Sequence, residues 1–272
     1  MIVHLIDGTY EQFRHFYGAR IGTKGEDRPY AAVSGVLKTC LKMIGDGATH
    51  IGVATDHVIE SFRNDMWPGY KTGGGIEPAL WNQFGPLEEA LDTMGVTVWP
   101  MVEYEADDAL CSAAYLADAD ERVDKVCIWT PDKDLAQCVR DDRVVQIDGR
   151  LNIIRDANGV RAKFGVQPEQ IPDYLALVGD TADGFPGIPG IGQKTAERLL
   201  GEYASIDEFP EDVLGGDSRE RALLFRDLAT LRSDADVFED VEELRWCGVG
   251  EGFRVWEERC GIRKIPPVPD AE

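Results

Sequence analysis

Five short apolar runs punctuate the first 150 residues: Ile2–Ile6, His50–Ala54, Val96–Trp99, Val126–Thr130 and Val144–Ile147. Their length and their content of Val and Ile mark them as strands. Between them, Ala31–Ile44, Leu80–Met94 and Ala106–Ala117 place apolar residues at helical spacing. Strands alternating with helix-length stretches predict a parallel sheet with crossover helices. Ligands of such sheets bind beyond the carboxyl ends of the strands, so acidic residues that follow the strands are expected to converge.

After about residue 165 the strand signal stops. Gln167–Asp183 reads as helical, Gly184–Gly192 is dense in Gly and Pro, and Gln193–Tyr203 resumes as a helix. From Arg219 through Arg232 and beyond the chain reads as mostly helical and acidic. The expected organisation is an α/β unit over residues 1–165 and a helical subdomain over 166–264. There is no internal repeat, and the low-complexity segments are Gly73–Gly75 and Pro266–Pro269, the second expected to fray.

Composition adds constraints. The 272 residues include 43% hydrophobic and 9% aromatic side chains, enough for a packed interior and against general disorder. No stretch approaches the ~18 consecutive apolar residues of a membrane span, and Ile2–Ile6 runs straight into Asp7–Gly8 without a signal-peptide pattern. A cytoplasmic protein is expected, and Met1 together with the Pro266–Pro269 end fits a complete, stand-alone chain. The six cysteines form no CxxC pair, which predicts neither a disulfide framework nor a zinc site.

The formal charge of −22, from 28 basic and 50 acidic residues, argues as a bulk property against nucleic acid. Its distribution is more informative. Residues 72–124 hold 1 basic and 12 acidic residues and residues 201–272 hold 9 and 19, whereas 1–71 hold 8 and 8, and 125–200 hold 10 and 11.

Nine carboxylates stand out. Asp7 and Asp56 close the first two apolar runs; Glu105, Asp107 and Asp108 follow the third; Asp132 and Asp134 follow the fourth. Asp180 and Asp183 lie three apart after an apolar helical stretch, a spacing expected to put both on one helix face. Singly, each has a structural reading as a turn former or helix N-cap. Jointly, carboxylates gathered at one sheet end repel unless a cation neutralises them. Oxygen-only ligands select a hard ion, Mg²⁺ or Mn²⁺, and such sites handle phosphate through paired metals roughly 4 Å apart.

The segments LIDGTYEQFR (Leu5–Arg14), SFRNDMWPGYK (Ser61–Lys71), EADDAL (Glu105–Leu110), TPDKDLAQ (Thr130–Gln137), GDTADGFPGIPGIGQKTAERLL (Gly179–Leu200) and LATLRSDADV (Leu228–Val237) stand in a telling order. The chain resembles the bacterial and phage 5′ nucleases: stand-alone flap endonucleases and 5′→3′ exonucleases, and the N-terminal nuclease domain of DNA polymerase I. That resemblance implies a PIN-like, mostly parallel sheet flanked by helices, followed by a helix-three-turn-helix subdomain. It assigns Asp7, Asp56, Glu105, Asp107 and Asp108 to the surroundings of a first metal, and Asp132, Asp134, Asp180 and Asp183 to the rest of the cluster and a second metal. It implies that Lys71, with Arg63 nearby, approaches the scissile phosphate and that Tyr70 packs beside it. Gly187, Gly190, Ile191, Gly192, Lys194 and Thr195 fall in the hairpin that in the family grips duplex DNA and holds K⁺.

The implied partner is branched or 5′-flap DNA, or an RNA primer end, met by a monomeric, nucleoid-associated enzyme with no membrane attachment. Three departures from the family pattern bear on the single-stranded 5′ end. Gly74 stands at a usually basic position, Glu103 at a usual Gly, and Thr72–Gly85, where relatives carry a cationic arch, holds no Lys or Arg. Trp81 and Phe84 could stack bases there, although a core role is the preferred reading. A haloacid-dehalogenase-type phosphatase is disfavoured because position 5 is Leu rather than a nucleophilic Asp. The remaining alternatives are a catalytically weak DNA-junction-binding protein and a PIN-type endoribonuclease.

Overall fold

The computed structural model describes residues 1–22 and 28–269. Six strands form one sheet in the order β3-β2-β1-β4-β5-β6: β1 Ile2–Asp7, β2 His50–Asp56, β3 Thr97–Met101, β4 Lys125–Trp129, β5 Val144–Asp148 and β6 Ile153–Arg155. The first five pair in parallel, and β6 turns back antiparallel on β5. The strand order reverses between β1 and β4, so the crevice at a switch point opens where Asp7 ends β1 and Thr130 follows β4.

The strands form where the apolar runs predict, within two residues at each end: β1, β2, β4 and β5 are mostly buried on both faces, while β3, at the sheet edge, buries Trp99 and exposes Pro100. The helices α2 (Ala31–Gly45) and α6 (Ala106–Ala119) also match. Four features differ from the sequence reading. Helix α1 (Gly8–Gly22) was not anticipated, since it turns polar Glu11 and Gln12 inward while Ile21 is exposed, which erases the apolar period.

The expected helix Leu80–Met94 is split into α4 (Pro78–Trp81) and α5 (Phe84–Thr93). Pro86 has no N–H to continue the ladder, and the side chain of buried Gln83 instead bonds Ala32 N at 3.0 Å and Ala79 O at 2.9 Å. Strand β6 is too short for a periodic signal. Beyond α10 (Gly216–Ala229) the chain is mainly irregular, with single 3-10 turns at Val241–Leu244 and Glu251–Phe253 and a short α11 (Arg254–Cys260), rather than mostly helical.

This C-terminal stretch returns to the sheet layers. Leu231, Phe238, Val241 and Leu244 pack with α6 and β1, and Trp246, Phe253 and Trp256 pack with α2 and α5. A separate helical core gathers α8 (Ile171–Val178), α9 (Gln193–Tyr203), α10 and the α7 (Ala157–Phe164) side of the sheet. Among the described residues, no helix is long and apolar enough to cross a membrane.

One buried ion pair ties these parts together. Arg63, at the start of the short α3 (Arg63–Met66), donates two bonds of 2.7 Å to Asp108 in the first turn of α6. Two further donors reach Leu228 O at 2.8 Å and Thr230 O at 3.2 Å, at the end of α10. Asp108 also accepts the N–H groups of Glu105 at 3.0 Å and Arg232 at 2.7 Å. Both side chains are fully buried, so removing one partner leaves an uncompensated charge. Arg63→Ala is expected to lower unfolding stability by about 3–5 kcal/mol in urea titration; a loss under about 1 kcal/mol would remove this pair as the lock between sheet and helical unit.

Candidate active site

The ends of β1 and β2 deliver the first acids. Asp7 accepts Tyr10 N at 2.8 Å and the Thr130 hydroxyl at 2.9 Å. Asp56 accepts Ala106 N at 2.8 Å, and its own N–H donates to Thr9 Oγ1 at 2.8 Å. Glu105 caps α6 in a capping box with Asp108, which fixes the helix start and with it Asp107. Glu105 accepts the Ser61 hydroxyl at 2.7 Å and the Tyr70 hydroxyl at 3.2 Å.

The loop after β4 supplies the next pair. Thr130 Oγ1 accepts Asp132 N at 3.2 Å, and Asp132 accepts Asp134 N at 3.1 Å. Fully buried Gln146 of β5 donates through its amide to Asp132 O and accepts from Arg155 at 2.8 Å.

Asp180 and Asp183 do not share a helix face. Helix α8 ends at Gly179, and the two acids sit in the turn that follows, closed by Asp180 N to Phe185 O at 2.8 Å and Gly184 N to Asp180 O at 2.9 Å. The turn still brings them together: one oxygen each from Asp134, Asp180 and Asp183 lies within 4.8 Å of the others. Gly184, at φ +85°, makes this possible, because a Cβ there would stand 2.0 Å from Gly69 O. That close approach puts Lys71 N 3.0 Å from Asp183 O.

Lys71 Nζ then bridges Glu105 at 3.1 Å and Asp183 at 3.0 Å, one acid from each part of the fold. Burial opposes its charge, but Glu105 and Asp183 hold the ammonium well above the ordinary lysine range. Lys133, which the sequence reading did not single out, pairs with Asp180 at 2.6 Å.

The carboxylates crowd one another. Burial pushes Asp7 up to about 7, aided by Asp56 and Asp132 and resisted by its bonds from Tyr10 and Thr130. Burial raises Asp56, with Glu105 adding to it. Burial and the charges of Asp132 and Asp7 lift Asp107 well above the usual range, and burial with Asp132, Asp183 and Asp180 does the same to Asp134. Asp134 Oδ1 is buried without a partner. An orphaned carboxylate oxygen among like charges, with only oxygen donors around it, fits a hard divalent cation.

Two residues expected at this site are not available to it. Asp108 has four donors on its two oxygens and no exposed surface, so it holds Arg63 rather than an ion. Arg63 is equally committed and cannot reach a phosphate. Tyr70 is buried, with Lys71 Nζ 5.7 Å from its ring centroid, and serves to orient Glu105. Supporting groups that the reading missed are Thr9, Ser61, Thr130, Gln146 and Lys133. Four of them stand inside the quoted motifs, and Gln146 is a polar residue within an apolar strand, which itself signals a buried hydrogen-bonding duty.

In the hairpin between α8 and α9, Gly187 is buried at φ +72°, and a Cβ there would stand 2.4 Å from Gly179 N, so it serves chain packing instead of a ligand. Gly190 and Gly192 face open space. Thr195 N and Ala196 N bond back to Gly192 O, whereas the exposed N–H groups of Gln193 and Lys194 find no acceptor among the described residues. Ile191 is half-buried against the helical core and Thr195 is half-buried. Phe84 is core, as preferred from the sequence, while Trp81 stacks on it at 5.2 Å and stays 40% exposed.

Residues 2–165 match the family model described as 5′-3′ exonuclease, N-terminal resolvase-like domain, and residues 166–251 match 5′-3′ exonuclease, C-terminal SAM fold. DNA polymerase I of Pseudomonas aeruginosa is 33% identical over 261 residues, covering 88% of this chain and 28% of the relative. Thermostable DNA polymerase I of Thermus aquaticus is 34% identical over 253 residues, covering 89% and 30%. The chain thus spans about three-tenths of the length of these curated relatives. Among solved structures, T5 5′-exonuclease with bound zinc aligns at TM-score 0.65 and 18% identity, covering 84% of this chain and 89% of that one. The catalytic core of Rad2 in complex with DNA substrate aligns at 0.60 and 13%, covering 94% and 85%. At these identities the two structures speak to the fold.

Carboxyls raised by folding stabilise the metal-free protein when protonated, and that contribution is lost as pH climbs from the ordinary carboxylate range, 3.8, through about 7 for Asp7. Divalent binding must displace those protons. The rise in Tm on adding Mg²⁺ or Mn²⁺ is therefore expected to be small at pH 5 and to grow through pH 7–8, and Asp134→Asn is expected to raise the metal-free Tm at pH 8 while shrinking the metal-induced rise. A metal-induced rise independent of pH would overturn this account of the cluster.

Proposed function

Since the chain belongs to the 5′-3′ exonuclease family, we propose that it is a structure-selective 5′ nuclease, a 5′→3′ exonuclease and flap endonuclease that hydrolyses DNA phosphodiesters near single-strand/duplex junctions in replication or repair. The observation that carries this reading is the seam at which Lys71 bridges Glu105 and Asp183, with the unpartnered oxygen of Asp134 beside Asp180 and Asp183.

Asp7, Asp56, Glu105 and Asp107 would hold one divalent ion, directly or through water, and Asp132, Asp134, Asp180 and Asp183 would complete the cluster and hold a second. When bound, Mg²⁺ or Mn²⁺ would make water a usable nucleophile near neutral pH and screen the phosphodiester's charge. Lys71 supplies the protein cation that the developing phosphorane charge requires, aimed by its two carboxylates. Tyr70, Ser61 and Thr130 hold Glu105 and Asp7 in place. Gly190, Gly192, Lys194 and Thr195 line the grip on duplex phosphates, which the open N–H groups of Gln193 and Lys194 at the start of α9 make without reading sequence, and the same turn is the proposed K⁺ site.

In functional terms residues 1–165 carry most of the cutting site, and residues 166–264 complete it with Asp180 and Asp183 and supply the grip. Monomeric action on 5′-flap DNA or RNA primer ends, in a cytoplasmic, nucleoid-associated setting, completes the proposal. Junction binding without cleavage, the alternative, gives no reason to retain the costly carboxylates, and a PIN-type endoribonuclease gives none for the hairpin.

With Mg²⁺ or Mn²⁺ the protein is expected to cut a labelled 5′-flap duplex at the junction. Lys71→Ala should lower kcat about 10²–10³-fold, as loss of one charge-stabilising group does, and Asp132→Asn should also cut more slowly. Lys194→Ala should weaken junction binding in Ca²⁺. A wild-type protein that leaves the flap intact, or an Asp132→Asn variant as fast as wild type, sinks the proposal.

A further inference from the structure

Two lysines from the sheet unit reach across to the turn after α8, and each takes one of its acids. Lys71 Nζ stands 3.0 Å from Asp183 Oδ1, and Lys133 Nζ stands 2.6 Å from Asp180 Oδ2. These are two of the three acids whose oxygens converge, and the third, Asp134, keeps a buried oxygen without a partner. Lys133 is the sequence neighbour of Asp134, yet its ammonium crosses to the other unit. Three carboxylates are thus met by two ammonium groups, whose summed charge equals that of one divalent ion.

The two lysines are not held alike. Lys71 is shared by Glu105 and Asp183, whereas among the described residues Lys133 has only Asp180 within ion-pair distance. The Lys133 side chain is 32% exposed and that of Asp180 only 2%. An ammonium so placed returns to water at little cost, while the buried carboxylate it leaves must find another cation.

Nor does the fold need Lys133 to place Asp180. The other oxygen, Oδ1, accepts Ala182 N at 2.9 Å, and Asp180 N closes the turn on Phe185 O at 2.8 Å. The turn is docked on the sheet unit by Lys71 N to Asp183 O at 3.0 Å and by Trp67 Nε1, which donates to Gly184 O at 3.1 Å. Without Lys133 the carboxylate would keep its place and lose its counter-charge.

We propose that Lys133 is a displaceable counter-ion: its ammonium neutralises Asp180 in the metal-free protein and yields it when a divalent cation enters among Asp134, Asp180 and Asp183, so that Lys133 sets the affinity of that position. The inference rests on the metal-dependent nuclease reading above. Ammonium and cation compete for one carboxylate, so removing the ammonium tightens divalent binding. A lysine whose duty was only to hold Asp180 in place would have the opposite effect, since its loss would scatter the acids.

The test is Mn²⁺ uptake by the full chain without nucleic acid, read from the electron paramagnetic resonance signal of the free ion, together with the metal-free Tm. Lys133→Met is expected to lower the metal-free Tm and to tighten Mn²⁺ binding about 3–10-fold, the scale of one partly solvated ion pair. Lys133→Arg, which keeps the charge, should restore both. In an Asp134→Asn background Lys133→Met should no longer tighten binding. A second measurement uses the unaltered side chain: in ¹⁵N-lysine-labelled protein the Lys133 ammonium resonance, assigned by its absence from Lys133→Arg, should move to the solvated-lysine position as Mg²⁺ is added. Mn²⁺ affinity unchanged or weakened in Lys133→Met, or an ammonium resonance unmoved at saturating Mg²⁺, overturns the proposal. If the wild-type chain takes up no Mn²⁺ at all, it is the metal-dependent nuclease reading that fails.

Discussion

The arrangement depends on one buried ion pair. Arg63 and Asp108 neutralise each other in full desolvation, which is tolerable because further bonds to Leu228 O, Thr230 O, Glu105 N and Arg232 N satisfy them. Each bond sets a different part of the site. Asp108 fixes the first turn of α6, hence Glu105 and Asp107. Arg63 fixes α3, whose Asn64 holds Lys71 O at 2.9 Å. The bonds to the end of α10 hold the helical unit against the sheet. A hydrophobic contact could supply similar stability but could not set angles for four backbone groups at once.

That precision matters because the carboxylates around it oppose folding. Asp7, Asp56, Asp107 and Asp134 are all driven toward their neutral forms by burial, with mutual repulsion adding to it. Within the protein the relief is small: Lys71 serves Glu105 and Asp183, Lys133 serves Asp180, and Asp134 keeps an unsatisfied oxygen. Stability withheld here is affinity held in reserve for a cation, since metal binding and relief of repulsion are one event.

Much of this was legible in the sequence, for identifiable reasons. Strands buried on both faces announce themselves as short apolar runs, and acids placed after them converge by topology alone. What the sequence concealed involves side chains whose duty inverts their usual exposure. Glu11 and Gln12 face inward and hide α1; Arg63 looks like a solvent or phosphate cation and is fully buried; Asp108, one residue from Asp107, belongs to the scaffold. Adjacent positions in a helix start point about 100° apart, so the EADD segment divides its acids between the carboxylate cluster and the scaffold, a division that the packing of Arg63 on Asp108 decides. Asp180 and Asp183 were placed correctly together for the wrong reason, because a three-residue spacing fits a tight turn as well as a helix face.

The net charge of −22 acts differently at different ranges. Beyond the Debye length of about 8 Å at physiological ionic strength, surface charges are largely screened, so acids farther than that from a bound phosphate would contribute little to its affinity. At low salt the same charge opposes long-range steering, and approach to a polyanion is slowed. On the proposed nuclease reading, affinity would come from contacts made at close range: open N–H groups at a helix start, Lys71, and an acid cluster that a bound metal would make compatible with phosphate. On the same reading, metal loading and nucleic-acid binding would be coupled through the carboxylates themselves.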